Sequence, residues 1–407
     1  MTYRMTPPPR LILDRAKRES LDPIDRVAER YEHLLLGNLS VLVTRAPPAT
    51  PPPPTPAAEE PVPEAPEMIP EATDAERAQH MARVFEPDAI AEAREVLGPK
   101  PTNSRDATTY ARSVACLARA GRDDGWRSVP WAGPDAVADP FAGLGPELAN
   151  FGEVLMHLRT QWTLARRARC APDARIDPIL LTGSPGVGKT YFAAALAELI
   201  GVRMSVFSAG GAQDAMQLCG SDARWSGSRT GMVFALLAAG DSAAPVLIVD
   251  EIDKLPQESA GSRDTPVNTL LDLLEEDSAR RYRDMSLQLE MDASRIIVVC
   301  TANERERISP PLLSRFTEFH IAPPRAEQRR LILEGYLAGL LVSHECPDNM
   351  TLDETSAEMA LATHDLDVRA LLRMVRAGLA AALANESDRV TLSPPRRGHV
   401  RQRIGFI

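Results

Sequence analysis

From about residue 139 onward, short apolar β-branched runs alternate with stretches of helical period ten or more residues long. The runs are 179–182, 246–249 and 296–299. That alternation predicts an α/β domain with a mostly parallel sheet. From Pro323 to about Asn385 only the helical period remains, which predicts an α-helical region after the sheet. Upstream, Ile24, Val27, Tyr31, Leu34 and Leu35 have helical spacing and predict an amphipathic helix over 22–36. Helical patterns recur around 76–97 and 106–120, and Gly121, Gly125, Pro130 and Pro134 then break them. Residues 47–70 hold 11 prolines in 24 positions, and no basic residue occurs between Glu59 and Glu76. Such a segment forms neither helix nor strand. The expected division is an N-terminal segment with one helix (1–46), a Pro-rich acidic linker (47–73) and a mainly helical region without recognisable chemistry (74–138). An α/β domain (139–324), a helical domain (325–388) and a basic tail (389–407) follow.

A chain of 407 residues accommodates two or three such domains. Its 46 basic and 56 acidic residues leave a net charge of −10, which argues against a general nucleic-acid binder. The tail after Asp388 carries five arginines and no acid, a local basic patch that is more often just solvated. No apolar run approaches the ~18 residues of a membrane span, so no membrane association is expected. The N-terminus has no apolar run of signal-peptide type before its prolines. Cysteines at 116, 170, 219, 300 and 346 have neither metal-ligand spacing nor an even count. That usage predicts a reducing, cytoplasmic setting. Only four lysines occur, at 17, 100, 189 and 254, so a function that needs a lysine must use one of these.

One of the four stands in a motif. The run 179–182 leads into Gly183-Ser184-Pro185-Gly186-Val187-Gly188-Lys189-Thr190, followed by a helical pattern over 191–200. This is the phosphate-binding loop G-x-x-x-x-G-K-[ST]. Its glycines let successive backbone N–H groups turn toward phosphates, and the helix start adds its positive dipole end. Lys189 is expected to reach the β- and γ-phosphates of ATP, and Thr190 to ligate Mg²⁺. A second apolar run ends in Asp250-Glu251, at the strand end where ligands bind in such sheets. Asp250 is expected to hold Mg²⁺, and Glu251 to orient and polarise the attacking water.

The order of these pieces resembles the AAA+ ATPases. It runs from the phosphate loop to Val249-Asp250-Glu251-Ile252-Asp253-Lys254, then Thr301-Ala302-Asn303, then Leu312-Leu313-Ser314-Arg315-Phe316. Segments 210–214, 224–228, 268–274 and 282–291 are similar to the ATPase module of Lon-type proteases. The resemblance covers about 139–385 and implies a P-loop NTPase fold with a C-terminal helical lid. It implies further roles: sensor 1 for Asn303, an arginine finger for Arg315 and sensor 2 for Arg369. Asp139 to Leu144 resembles the segment that cups adenine. Arg224-Trp225-Ser226-Gly227 resembles a pore loop, with Trp225 as the residue that grips substrate and Ser226 in place of the usual apolar neighbour.

The expectation from this resemblance is an ATP-driven remodelling motor acting on protein substrates as a homo-oligomeric, hexameric ring. The alternative is an ATP-gated switch or scaffold that binds partners without threading them. Lon-type proteases carry a Ser-Lys peptidase domain after the lid, but no lysine follows Lys254 here. Peptidase activity is therefore not expected of this chain, and any proteolysis would fall to a separate peptidase.

Overall fold

The computed structural model describes residues 73–99, 104–133, 136–143, 146–168, 173–211, 215–222, 228–256, 265–344, 346–347, 349–363 and 366–393. The expected helix at 22–36, nearly all of the linker, Trp225 and most of the basic tail lie outside them. Two compact units divide the chain. Within the described residues, the larger holds 73–332 and 361–370, and the smaller holds 333–360 and 371–393.

The larger unit is built on a five-stranded, all-parallel sheet. Its strands are β3 (Ile179–Thr182), β4 (Met204–Ser208), β5 (Val246–Asp250), β8 (Ile297–Ala302) and β9 (Thr317–His320), in the order β4-β5-β8-β3-β9. Burial explains this order. Every residue of β3 and β8 is buried, as is β5 up to its final Asp250, while the edge strands β4 and β9 are largely half-exposed or exposed. Strands covered on both faces read as continuous apolar runs, and parallel sheets need that cover. Helix α5 (Lys189–Ile200) packs on β5 and β8, and α7 (Met232–Ala239) on β4; the unit also holds α4 (Gly152–Arg167), α6 (Met216–Cys219), α8 (Pro266–Leu274), α9 (Glu276–Ala279) and α10 (Pro310–Leu313). Ala193, Ala194, Ala195 and Ala197 of α5 are all buried, so this helix can lie close on the sheet.

The region expected to be mainly helical carries, among its described residues, three α-helices and, in addition, one short strand pair. A single turn α1 (Asp74–Arg77) precedes β1 (Met81–Arg83), then α2 (Pro87–Leu97), α3 (Ser104–Ala120) and β2 (Trp126–Ser128). Strands β1 and β2 pair antiparallel, with Met81 opposite Ser128. Arg127, only 2% exposed, closes the end of α3. Its guanidinium donates to the carbonyls of Arg119, Ala120, Arg122 and Trp126 at 2.8–3.2 Å. A cation there satisfies the last carbonyls and meets the negative end of the helix dipole.

This segment is fastened to the sheet-bearing core. Helix α3 packs on α7, and α2 packs on β7 (Leu289–Met291), the second strand of a hairpin with β6 (Tyr282–Asp284). Phe85 meets Phe234 edge to face at 5.8 Å. Such a pair adds about 0.5–1.5 kcal/mol beyond area burial. The Ser128 N–H donates to the Asp241 carbonyl at 2.9 Å, and the Ala243 N–H donates to the Ser128 carbonyl at 2.8 Å.

The smaller unit is helical. It holds most of α11 (Ala326–Ser343), α12 (Glu354–Ala362) and α13 (Val368–Ala384), with the short parallel pair β10 (Thr351–Leu352) and β11 (Arg389–Val390). Buried Leu333, Leu337 and Leu340 repeat at helical spacing, as do Leu371, Val375 and Leu379. No helix among the described residues is long and apolar enough to cross a membrane.

Candidate functional site

The site gathers at the carboxyl ends of β3, β5 and β8, where ligands bind in open parallel sheets. Strand β3 ends at Thr182, and α5 begins at Lys189. Between them, Gly183, Gly186 and Gly188 have φ of 143°, 80° and 98°, a region that L side chains avoid. At Gly183 a β-carbon would also lie 2.4 Å from the Ile321 carbonyl oxygen, so the turn is wedged against the chain leaving β9. Gly188 caps α5 without a side chain. The first-turn N–H groups of this 12-residue helix thus form an anion site.

Lys189 is 7% exposed. Its ammonium donates to the Gly183 carbonyl at 2.7 Å, the Ser184 carbonyl at 3.0 Å and Asn303 Oδ1 at 2.9 Å. Burial holds its pKa below the ordinary lysine value, and the nearby Asp250 and Asp253 oppose that shift. The structure therefore brings Lys189 and Asn303 together, from motifs 114 residues apart.

Thr190 Oγ1 donates to Asp250 Oδ1 at 2.8 Å. The same oxygen accepts from Thr301 Oγ1 at 2.6 Å. The Thr301 hydroxyl also accepts the Glu251 N–H at 3.0 Å. One hydroxyl thus holds both carboxylate residues. The register explains it: Val249 pairs with Cys300, so Asp250 and Thr301 are the next positions on adjacent strands. Glu251 itself is left-handed, with φ 56° and ψ 49°, a strained conformation of the kind found at active sites. Its carboxylate pairs with Lys254 Nζ at 3.2 Å. Asp253, 3% exposed, accepts the N–H groups of Asn303 at 3.4 Å and Glu304 at 3.3 Å, holding the turn that carries Asn303. The sequence reading gave no role to Thr301 or Asp253. Both lie inside the quoted motifs, but their bonds depend on the pairing of two strands and on backbone N–H groups of another turn.

The donor set suits a hard cation. Among the described residues no group of three or more His, Cys, Asp or Glu side chains could hold a metal ion. A hydroxyl and one carboxylate instead fit Mg²⁺, which keeps water and phosphate oxygens as its other ligands. Thr190 and Asp250 would hold it, and it would neutralise phosphate charge there.

Arg369 belongs to the larger unit, and its positive charge acts on Lys189, pushing that pKa further down. Beside it, Asp367 Oδ2 lies 2.9 Å from where a β-carbon on Gly186 would stand. Arg315 is placed elsewhere: its Nε donates to Glu275 Oε2 at 2.6 Å and its Nη1 to Ser314 at 2.9 Å. The segment expected to cup adenine commits its aromatic ring to the core. Phe141 is 2% exposed and meets Trp162 edge to face at 5.8 Å. Asn150 approaches the phosphate loop instead, donating to the carbonyls of Val187 and Ala322 at 3.3 Å each.

Residues 179–323 match the family described as ATPase family associated with various cellular activities (AAA). A mitochondrial Lon protease homolog of Phaeodactylum tricornutum is 35% identical over 159 residues, which are 39% of this chain and 18% of that protein. Lon protease 1 of Borreliella burgdorferi is 33% identical over 181 residues, 44% of this chain and 22% of that protein. A peroxisomal Lon protease homolog 2 of Caenorhabditis briggsae is 29% identical over 239 residues, 56% and 30% of the two chains. The matches thus cover less than a third of these relatives' length. Among solved structures, the RuvB Holliday junction branch migration motor of Thermotoga maritima matches with a TM-score of 0.38 and 17% identity, over 60% of this chain and 65% of that one. The phosphate loop, the paired carboxylates and the parallel sheet that joins them all lie in the stretch matched by the family, and the chain carries a Lon-like AAA ATPase module.

Proposed function

We propose that the module binds ATP with Mg²⁺, hydrolyses it, and uses the cycle to remodel or unfold protein substrates as a ring of identical copies. The convergence of Lys189, Thr190, Asp250, Glu251 and Asn303 around three strand ends carries the ATPase part. The loop N–H groups and Lys189 bind phosphate. Glu251 polarises the attacking water, while Asn303 and Arg369 add donors where negative charge develops. The similarity to Lon proteases supports protein as the substrate.

Glu251→Gln is expected to retain ATP and stop steady-state turnover, because only the water-polarising charge is removed. A filter-binding assay beside a phosphate-release assay separates the two effects, and unchanged turnover would sink the assignment. Turnover that rises with an unfolded protein supports the remodelling motor. A slow rate indifferent to every unfolded protein would favour the ATP-gated switch.

Thr301→Val tests the shared hydroxyl at nearly constant volume. Loss of such a supporting contact costs about 10–100-fold. The expected result is kcat lowered by that factor with ATP affinity little changed. A wild-type kcat would show that Asp250 and Glu251 hold their places without it.

A further inference from the structure

Arginine supplies 42 of the chain's 46 basic residues, and two of its four lysines stand at the nucleotide site. The phosphate loop accounts for Lys189 but leaves Lys254 without a role. Lys254 closes the single 3₁₀ turn Ile252–Lys254, which Glu251 caps. Its N–H donates to the Glu251 carbonyl at 2.9 Å. In such a turn the side chains at i and i+3 eclipse, which lays the lysine over the glutamate. Its Nζ accordingly stands 3.2 Å from Glu251 Oε2.

Everything else that fixes Glu251 acts on its backbone. The N–H is held by the Thr301 hydroxyl at 3.0 Å, and the carbonyl is held by the turn itself. Neither bond reaches the carboxylate, which turns on rotatable bonds of its own. Polarising a water requires that carboxylate to be held within about 0.5 Å of its productive place. Among the described residues, Lys254 makes its one ion pair. The backbone just beyond β4 flanks the pair: a β-carbon on Gly210 would stand 3.2 Å from Oε2 and 3.6 Å from Lys254 Cδ, so a side chain there would crowd both. The two side chains are 47% and 37% exposed, and a pair so open to water adds little to stability. Stability therefore does not account for it.

The kind of cation matters here. A guanidinium offers a planar fork that matches both oxygens of a carboxylate, whereas an ammonium is a compact point charge that one oxygen satisfies. With Oε2 on an ammonium, Oε1 keeps its lone pairs for the proton of a water. A chain that otherwise relies on arginine thus keeps lysine where a fork would claim both oxygens of the base.

We infer that Lys254 is a positioning residue for ATP hydrolysis, which fixes the Glu251 carboxylate by one oxygen and leaves the other to the attacking water. This rests on the reading of Glu251 as the group that polarises that water.

The test measures steady-state phosphate release and ATP filter binding in the full chain carrying Lys254→Met or Lys254→Arg. Lys254→Met frees the carboxylate and is expected to lower kcat about 10–100-fold, the range for loss of a supporting contact. ATP affinity should stay within a few-fold. Lys254→Arg keeps the charge but takes both oxygens, so kcat should fall at least as far. Recovery of kcat in Lys254→Arg would show that the charge alone matters and would overturn the inference. A kcat raised by Lys254→Met would overturn it as well, because the pair would then hold Glu251 away from the water. So would weakened ATP binding at unchanged kcat, which would assign the ammonium to phosphate. Glu251→Gln measured in parallel separates this inference from the reading beneath it. Turnover that survives Glu251→Gln removes both. Turnover stopped by Glu251→Gln but unchanged in Lys254→Met removes the role of Lys254 alone.

Discussion

Lys189→Ala is expected to weaken ATP binding by roughly 30-fold to several thousandfold. The ammonium is the buried cation of the phosphate loop, and three oxygens now converge on it. Its removal takes away the positive charge and leaves the Gly183 and Ser184 carbonyls and Asn303 Oδ1 without their donor. Truncating one partner of a buried, hydrogen-bonded charge pair costs about 2–5 kcal/mol, roughly 30-fold to several thousandfold in Kd. Lys189→Arg should rescue poorly, because a planar fork cannot reproduce a compact ammonium shared among three acceptors. Titration calorimetry with ATP measures both variants. An alanine variant that binds ATP within a few-fold of the unaltered chain would remove Lys189 from the phosphate site.

Arg315→Ala should bind ATP normally and hydrolyse it about 10³-fold more slowly, the magnitude associated with arginine fingers. Within its own chain Arg315 pairs with Glu275 at 2.6 Å, and both side chains are about half exposed. An exposed pair of this kind is worth about 0–1 kcal/mol. Exchanging Glu275 for a phosphate on a neighbouring subunit therefore costs little, which is what a residue shared between copies requires. Mixing supplies the sharper measurement. Arg315→Ala subunits keep an intact site, and Glu251→Gln subunits keep an intact arginine. If the arginine acts across a closed head-to-tail interface, the mixture recovers part of the turnover that neither variant has alone. No recovery, with a monomeric mass in ATP, would confine Arg315 to its pair with Glu275.

The central strands could be read directly because they are apolar up to the polar residues near their carboxyl ends, and a continuous run needs no partner to be visible. The phosphate loop was equally plain, since its glycines are required by local backbone geometry. Edge strands β4 and β9 escaped notice: Met204-Ser205-Val206-Phe207-Ser208 and Thr317-Glu318-Phe319-His320 mix polar and apolar residues, as half-covered strands do. Strands β1 and β2 have three residues each and meet across more than forty positions, so no local period records their pairing. The roles of Thr301 and Asp253 were hidden for a different reason. Each depends on the register of two strands or on a backbone N–H from a distant turn, and spacing along one segment carries neither.

The attachment of residues 73–131 to α7 bears on how portable this ATPase module is. The resemblance begins near 139, which suggests a convenient place to cut. A fragment begun there would lose Phe85 from Phe234 and Ser128 from Asp241 and Ala243. Helix α7 has buried side chains at Val233, Phe234, Leu236, Leu237 and Ala238, and α3 covers part of that surface. Bared, it would act as an adhesive strip, since large contiguous apolar patches drive self-association. A graft of the module into another protein must therefore bring its upstream segment along as a built-in shield for α7.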